Sequence, residues 1–314
     1  MEQSKCESLV AQKKALEEKL ATLLYGAFEK RDSGEKAYAY LHRREDGIRV
    51  TKYIGEFSEK LLKTVANDNA EAKEIKKQLR QINKELNTLG FTEQEMDEKV
   101  AINIALARRY LVENVHKLAA LEGIATTLAD TERILEGGRV GDLTATDTNK
   151  IINLKRAWEF VLNKFVIQTP FSFNIVSEVN RLVEEGFHTL GGKVRSVPVT
   201  IGGTDYKPPL PIETVVKEEI DEILNNNCSL EDKVISLILY LMKRQIFIDG
   251  NKRTAVISAN HLFISMGGGL LAIPADKTDE YKKLLVKYYE AERSEDKDTK
   301  NIIKFLKEYC ITRI

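Results

Sequence analysis

The sequence predicts a mainly α-helical chain, and three observations predict it. Proline is scarce, with 6 residues among 314; apolar residues recur three and four positions apart over long stretches; and segments with the two-residue strand period are short and few. A hydrophobic fraction of 43% is enough for a substantial core. Lys plus Arg and Asp plus Glu both number 48, so no global field draws the chain to nucleic acid or membrane, and any anion recognition must be local.

The first element follows from Leu9, Leu16, Leu20 and Leu23, which form one helical stripe, while Ile75, Leu79, Ile82, Leu86 and Leu89 form a second at 4-3-4-3 spacing. These seams suit intramolecular packing of two helices, with a homodimer as the alternative use. Between them, Ala37–Leu41 and Ile48–Ile54 alternate with strand period around the turn signal Asp46-Gly47. Gly90 closes the second stripe, so residues 1–90 read as an accessory helix–β-hairpin–helix module and 91–314 as a second domain. Residues 30–52 hold seven Lys/Arg against four Asp/Glu, interleaved with Tyr38 and Tyr40. Such a mixture can bind nucleic acid, but the excess is small, and a solvated or protein-docking face is the preferred reading.

The second domain opens with a helical pattern from Thr92 to Leu121, followed by helices around Trp158, over Asp232–Arg244, from Asn251 to Met266, and around Tyr281–Glu292 and Thr299–Cys310. Asp232–Arg244 is apolar around most of its circumference and should be a buried central helix, with Ser229 and Asp232 as its cap. Gly267-Gly-Gly269 follows a helix rather than a strand and reads as a helix stop. Lys193–Ile201, bracketed by glycine pairs and rich in β-branched residues, reads as a short β excursion. Cys6, Cys228 and Cys310 lack paired spacing and read as reduced thiols. A charged N-terminal stretch and the lack of an apolar run of ~18 residues suggest a cytoplasmic protein without a membrane span.

Between two of these helices lies Arg244-Gln-Ile-Phe-Ile-Asp-Gly-Asn-Lys-Arg-Thr-Ala255. Its last residues open a helix, where unpaired N–H groups and the helix dipole favour an anion. Gly250 allows close backbone approach, Asn251 carries an amide donor, Lys252 is a point charge and Arg253 is a fork matched to phosphate. Asp249 is a single carboxylate of the sort that holds hydrated Mg²⁺ beside phosphates. The same five residues also fit an ordinary capped helix with solvated bases.

The surroundings decide between these, because the loop resembles the signature HPFx[D/E]GN[G/K]R of the Fic/Doc (Fido) family. Phe247, Asp249, Gly250, Asn251 and Arg253 match it position by position. Arg195 to Pro209 resembles the family's β-hairpin flap, in which Val199, Thr200, Ile201 and Gly202 would dock a target segment by strand addition. The resemblance covers residues 92–314 and implies a Fic-type helical bundle with a flap. It implies transfer of AMP, or of a phosphoryl group, from ATP or another nucleoside triphosphate to a Ser, Thr or Tyr hydroxyl of a protein target. Asp249 would hold Mg²⁺; Gly250, Asn251, Lys252 and Arg253 would hold the phosphates. Lys252 and Val256 depart from AMP-transferring members, which carry glycine and a second arginine there.

The departure with the largest consequence is Gln245, at the position of the family's histidine base. A glutamine amide takes up no proton near neutral pH, and losing general-base help costs about 10²–10⁴ in rate. Among the histidines, His261 lies well inside the following helix and reads as a packed residue. Leu118-Ala-Ala-Leu-Glu122-Gly123 resembles the family's inhibitory motif [S/T]xxxE[G/N], which would set Glu122 against Arg253. The resemblance therefore implies a transferase with weakened or lost activity. Its alternatives are an inactive nucleotide- or protein-binding regulator and an AMP-removing hydrolase that uses Glu122.

Overall fold

The computed structural model describes residues 2–34, 36–45, 48–88, 96–292 and 296–313. The expected turn Asp46-Gly47, the stop at Gly90, Leu89 and the helix start at Thr92 lie outside the described residues. Two units divide the chain, Met1–Glu95 and Met96–Ile314.

In the first unit, helix α1 (Glu2–Thr22) leads into strands β1 (Ala27–Ser33), β2 (Lys36–Glu45) and β3 (Ile48–Glu56), and helix α2 (Glu59–Thr88) follows. Leu9, Ile82 and Leu86 form its helical core, with Leu16 packed against it. The two leucine stripes thus meet within the unit, as their spacing predicts. The strands form an antiparallel sheet in the order β1-β2-β3, one strand more than the expected hairpin. Charges on this sheet satisfy one another: Arg31 pairs with Glu29 at 3.1 Å and lies 4.3 Å from the Tyr40 ring, and Lys36 pairs with Glu56 at 3.3 Å.

The second unit is helical apart from one two-residue strand pair. Its helices are α3 (Glu98–Arg109), α4 (Leu111–Leu121), α5 (Leu128–Leu135), α6 (Ala145–Val161), α7 (Lys164–Ile167), α8 (Phe173–Val183), α9 (Glu213–Asn225), α10 (Leu230–Arg244) and α11 (Asn251–Ser265). Strand β4 (Leu270–Leu271), helices α12 (Thr278–Glu290) and α13 (Lys297–Phe305), a π turn and strand β5 (Ile311–Thr312) complete it. Ser229 caps α10 as the sequence predicts, whereas the pattern read as one helix to Leu121 is two, α3 capped by Asp97 and α4, divided at Tyr110. Asp97 accepts from Lys99 N at 2.9 Å, and Ser229 accepts from Asp232 N at 3.1 Å. Helix α11 is buried along nearly its whole length, from Asn251 to Ile264, and α8 and α10 pack against it. Asn260 on α11 holds β4 through both of its amide atoms, at 2.9 and 2.7 Å from Leu271 N and O. Gly267, at φ 71°, ends α11 as expected.

The segment 193–211 departs from expectation. It has no regular secondary structure on either side of a turn at Gly202-Gly203, and no strand ladder forms along it. Prolines at 198, 208, 209 and 211 remove N–H donors from both arms. A buried guanidinium replaces the missing ladder: Arg195 donates to Val197 O at 2.8 Å and to Pro208 O and Pro209 O at 3.3 and 2.8 Å. Among the described residues, no helix is long and apolar enough to cross a membrane.

Candidate active site

The loop from Gln245 to Gly250 joins α10 to α11, and its shape follows from two internal devices. Gln245 ends α10 in the left-handed region, at φ 48°, the one non-glycine among the described residues with positive φ. Its Nε2 donates back to Met242 O at 2.6 Å, which satisfies a carbonyl the helix end leaves open. Asn251 then closes the loop: it accepts from Phe247 N at 2.9 Å and donates to Phe247 O at 2.8 Å. Its amide is thereby committed to the backbone rather than turned toward a ligand.

A second layer of polar contacts fixes the loop from behind. Asn180 on α8 donates to Asp249 O at 3.0 Å and to Thr254 Oγ1 at 3.1 Å, and accepts from Gly192 N at 2.8 Å. Arg195 donates from Nε to Gln245 O at 2.6 Å, while its backbone N–H reaches Ile246 O at 3.0 Å. One asparagine and one arginine thus tie α8, the flap and the loop together. Burial, with Arg244 nearby, lowers the pKa of Arg195 from the usual arginine value.

At the start of α11 three carboxylates converge on Arg253, which is wholly buried. Glu122 Oε2 lies 3.4 Å from its Nε, Glu184 Oε1 3.0 Å from its Nη2, and Asp249 Oδ1 3.6 Å from the same nitrogen. Lys252 approaches Glu122 Oε1 from the other side at 3.6 Å. Glu122 is held there by the end of α4. Its N–H donates to Leu118 O, Gly123 at φ 81° lets the chain turn, and Ile124 N returns to Ala119 O at 3.0 Å.

Glu184, one residue past α8, lies outside the loop motif that the sequence singles out. Its carboxylate occupies the space that a side chain at position 250 would need: a Cβ on Gly250 would come within 2.5 Å of Oε1. Burial raises its pKa above the ordinary carboxylate value, Asp249 and Glu122 add to that, and Arg253 and His188 oppose it.

Of the residues expected at the site, Glu122, Asp249, Gly250, Lys252 and Arg253 come together. Gln245 and Asn251 line the same loop with their amides turned into it. On the flap, Thr200 and Gly202 are exposed, Val199 is half-buried, and Ile201 packs against the core. His261 is buried within α11 and its Nε2 lies 2.8 Å from Val166 O, as expected of a packed residue. Sequence reasoning missed Glu184, His188, Asn180 and the anchoring part played by Arg195. The i,i+4 spacing of Glu184 and His188, which puts both on one side of a helical turn, was the signal available.

Residues 170–263 match the family model of the Fic/DOC family. Over 180 residues the chain is 25% identical to the protein adenylyltransferase Fic of Drosophila persimilis, covering 55% of this chain and 35% of that one. The corresponding protein of Drosophila willistoni is also 25% identical, with 36% of its length covered. The chain thus spans about a third of the length of these relatives. Among solved structures, a Fic domain containing signaling protein from Bacteroides thetaiotaomicron superposes with a TM-score of 0.54 at 17% identity, over 68% of this chain and 87% of that one. Fic-1 from C. elegans superposes at 0.52 with 18% identity, over 75% and 72%. The fold is shared with both, and residues 170–263, which supply α8, the flap, α10 and most of α11, form a Fic/DOC family domain.

Proposed function

We propose that the second unit binds a nucleoside triphosphate, ATP in the first instance, and acts on a protein hydroxyl with transfer held low by Gln245 and Glu122. One observation carries this reading. The Glu122 carboxylate sits between Lys252 and Arg253, at 3.6 and 3.4 Å, so an internal anion takes the place that a phosphate would occupy at the start of α11. Withdrawal of Glu122 would free both cations for the phosphates. The adenylyltransferase names of the relatives support AMP as the transferred group, and Lys252 in the loop leaves phosphoryl transfer as its rival.

Mg²⁺ suits this site on the chemistry of its donors. Asp249 has 52% of its side chain exposed, as a ligand to a largely hydrated ion requires. Such an ion, when bound, would draw charge from the phosphates. This chain's own contribution is then positional. Lys252 and Arg253 orient the phosphates, Asn251 holds the loop in shape, and the flap presents the target.

A second reading rests on the bond from Gln245 to Met242 O. A side chain committed to its own helix end abstracts no proton, and the domain would then serve as a nucleotide-dependent regulator. Incubation with labelled ATP and Mg²⁺ separates the two. The transferase reading expects weak self-labelling in the wild type that Gln245→His strengthens by about 10²-fold or more. It also expects Glu122→Gly to tighten nucleotide binding. Intact nucleotide binding without labelling in any variant would leave the regulator, and absence of nucleotide binding, unaltered by Arg253→Ala, would remove both.

A further inference from the structure

Beside Arg253 lies Glu184 and, next to it, His188, two groups that nucleotide binding does not use. The backbone carbonyl of Glu184 accepts from Phe187 N at 2.9 Å and from His188 N at 3.2 Å, and this tight turn brings the imidazole back over the glutamate. His188 Nε2 comes within 3.7 Å of Glu184 Oε2. Donor atoms of Glu184, His188 and Asp249 all lie within 4.8 Å of one another. Ions such as Mn²⁺ and Zn²⁺ sit about 2.0–2.2 Å from nitrogen and oxygen donors, so donors 3–4 Å apart can share one, and small side-chain rotations close this set.

Two further observations set the group apart. Glu184 is 98% buried; its Oε1 lies 3.0 Å from Arg253 Nη2 without the alignment of a hydrogen bond, and its Oε2 faces His188 at 3.7 Å, beyond hydrogen-bond reach. A buried carboxylate with one misaligned cation partner can be shared with a second cation. Gly250 is the second: the loop gives up a side chain where Glu184 Oε1 stands, which keeps that carboxylate beside Asp249. Glu184 thus presents Oε1 to Arg253 and Oε2 to His188, in the manner of a carboxylate shared between a guanidinium and a cation.

We propose that Glu184, His188 and Asp249 form a mixed nitrogen–oxygen site for a divalent cation, selective for Mn²⁺ or Zn²⁺ over Mg²⁺. It rests on the preceding reading only in taking Asp249 as a metal ligand. The selectivity follows from donor chemistry. Mg²⁺ prefers oxygen and retains its waters, so it gains little from an imidazole, whereas Mn²⁺ and Zn²⁺ accept nitrogen readily. His188, with 39% of its side chain exposed, can turn onto the ion without disturbing the core.

The test uses the full-length, tag-free protein without nucleotide. Calorimetric titration should find one Zn²⁺ or Mn²⁺ per chain, bound at least about tenfold more tightly than Mg²⁺. His188→Ala should weaken Zn²⁺ and Mn²⁺ by about tenfold or more and leave Mg²⁺ within about threefold. Bound Mn²⁺ should show nitrogen coupling in its electron spin echo, lost in His188→Ala. Thermal unfolding of that variant checks that it remains folded. Equal affinity for the three ions, absence of nitrogen coupling, or indifference to His188→Ala would overturn the proposal and reduce the contact to an ion pair. Nucleotide binding, measured separately with Mg²⁺ on Arg253→Ala, reports on the preceding reading, so the two can fail independently.

Discussion

At the scale of single residues, Asn251 shows how a side chain read as a ligand donor can be a structural device. Both amide atoms bond Phe247, and both Phe247 backbone groups are buried there. Asn251→Ala removes two bonds and leaves a donor and an acceptor unpaired, so it should destabilise the second unit by about 2–4 kcal/mol in urea unfolding. A ligand-only role for Asn251 would instead leave the midpoint unchanged. Asp249, Gly250, Lys252 and Arg253 could be singled out together because they fall within five consecutive positions at a helix start. Glu184 and Asn180 could not. Asn180 reaches Asp249 across 69 positions, and nothing in its immediate neighbours distinguishes a buried amide from an exposed one. The burial of Arg253 was equally invisible, because the sequence shows an arginine at a helix start and not the three carboxylates that make its burial tolerable.

At the scale of elements, the helices followed their apolar period closely because burial of one face decides them, and polar caps at Asp97 and Ser229 fixed their starts. Strand β1 escaped because Ala27-Phe-Glu-Lys-Arg-Asp-Ser33 carries four consecutive charges and no alternation; its conformation comes from pairing with β2. The flap shows the opposite error, a β-branched segment whose ladder the prolines prevent. Arg195 is the residue on which its shape depends. Its side chain makes four bonds to carbonyls of the flap and of Gln245. Arg195→Ala should cost about 2–4 kcal/mol, since several carbonyls lose a charged donor at once. Limited proteolysis should then cut within 196–208 at a protease concentration that leaves the wild type intact. Arg195→Lys should restore less than half of the loss, because one ammonium does not span a fork's partners. Full rescue by lysine would mean that the charge alone matters.

At the scale of the whole molecule, the two units carry separate cores. Every residue of the larger core lies between Val100 and Cys310, and the helical core of the first unit is built from Leu9, Ile82 and Leu86. Residues 96–314 expressed alone should therefore fold with an unfolding midpoint within a few degrees of that of the same unit in the full chain, by calorimetry. A pH dependence belongs to this scale too, because it reports on the total stability. Burial lowers the pKa of His261 from 6.5, against a hydrogen bond to Val166 O that raises it, and burial lowers that of His116 with help from Lys117. Below pH 6.5 the unfolded chain therefore binds more protons at these two sites than the folded chain does. Stability rises with pH wherever the unfolded state holds more protons, so on acidification the loss begins as pH drops through the ordinary histidine value and continues down to the folded-state pKa. His261→Gln, whose amide can still donate to Val166 O, should flatten the urea midpoint across that window while leaving it nearly unchanged above neutral pH. A midpoint that declines equally in the variant would assign the acid sensitivity to groups other than His261.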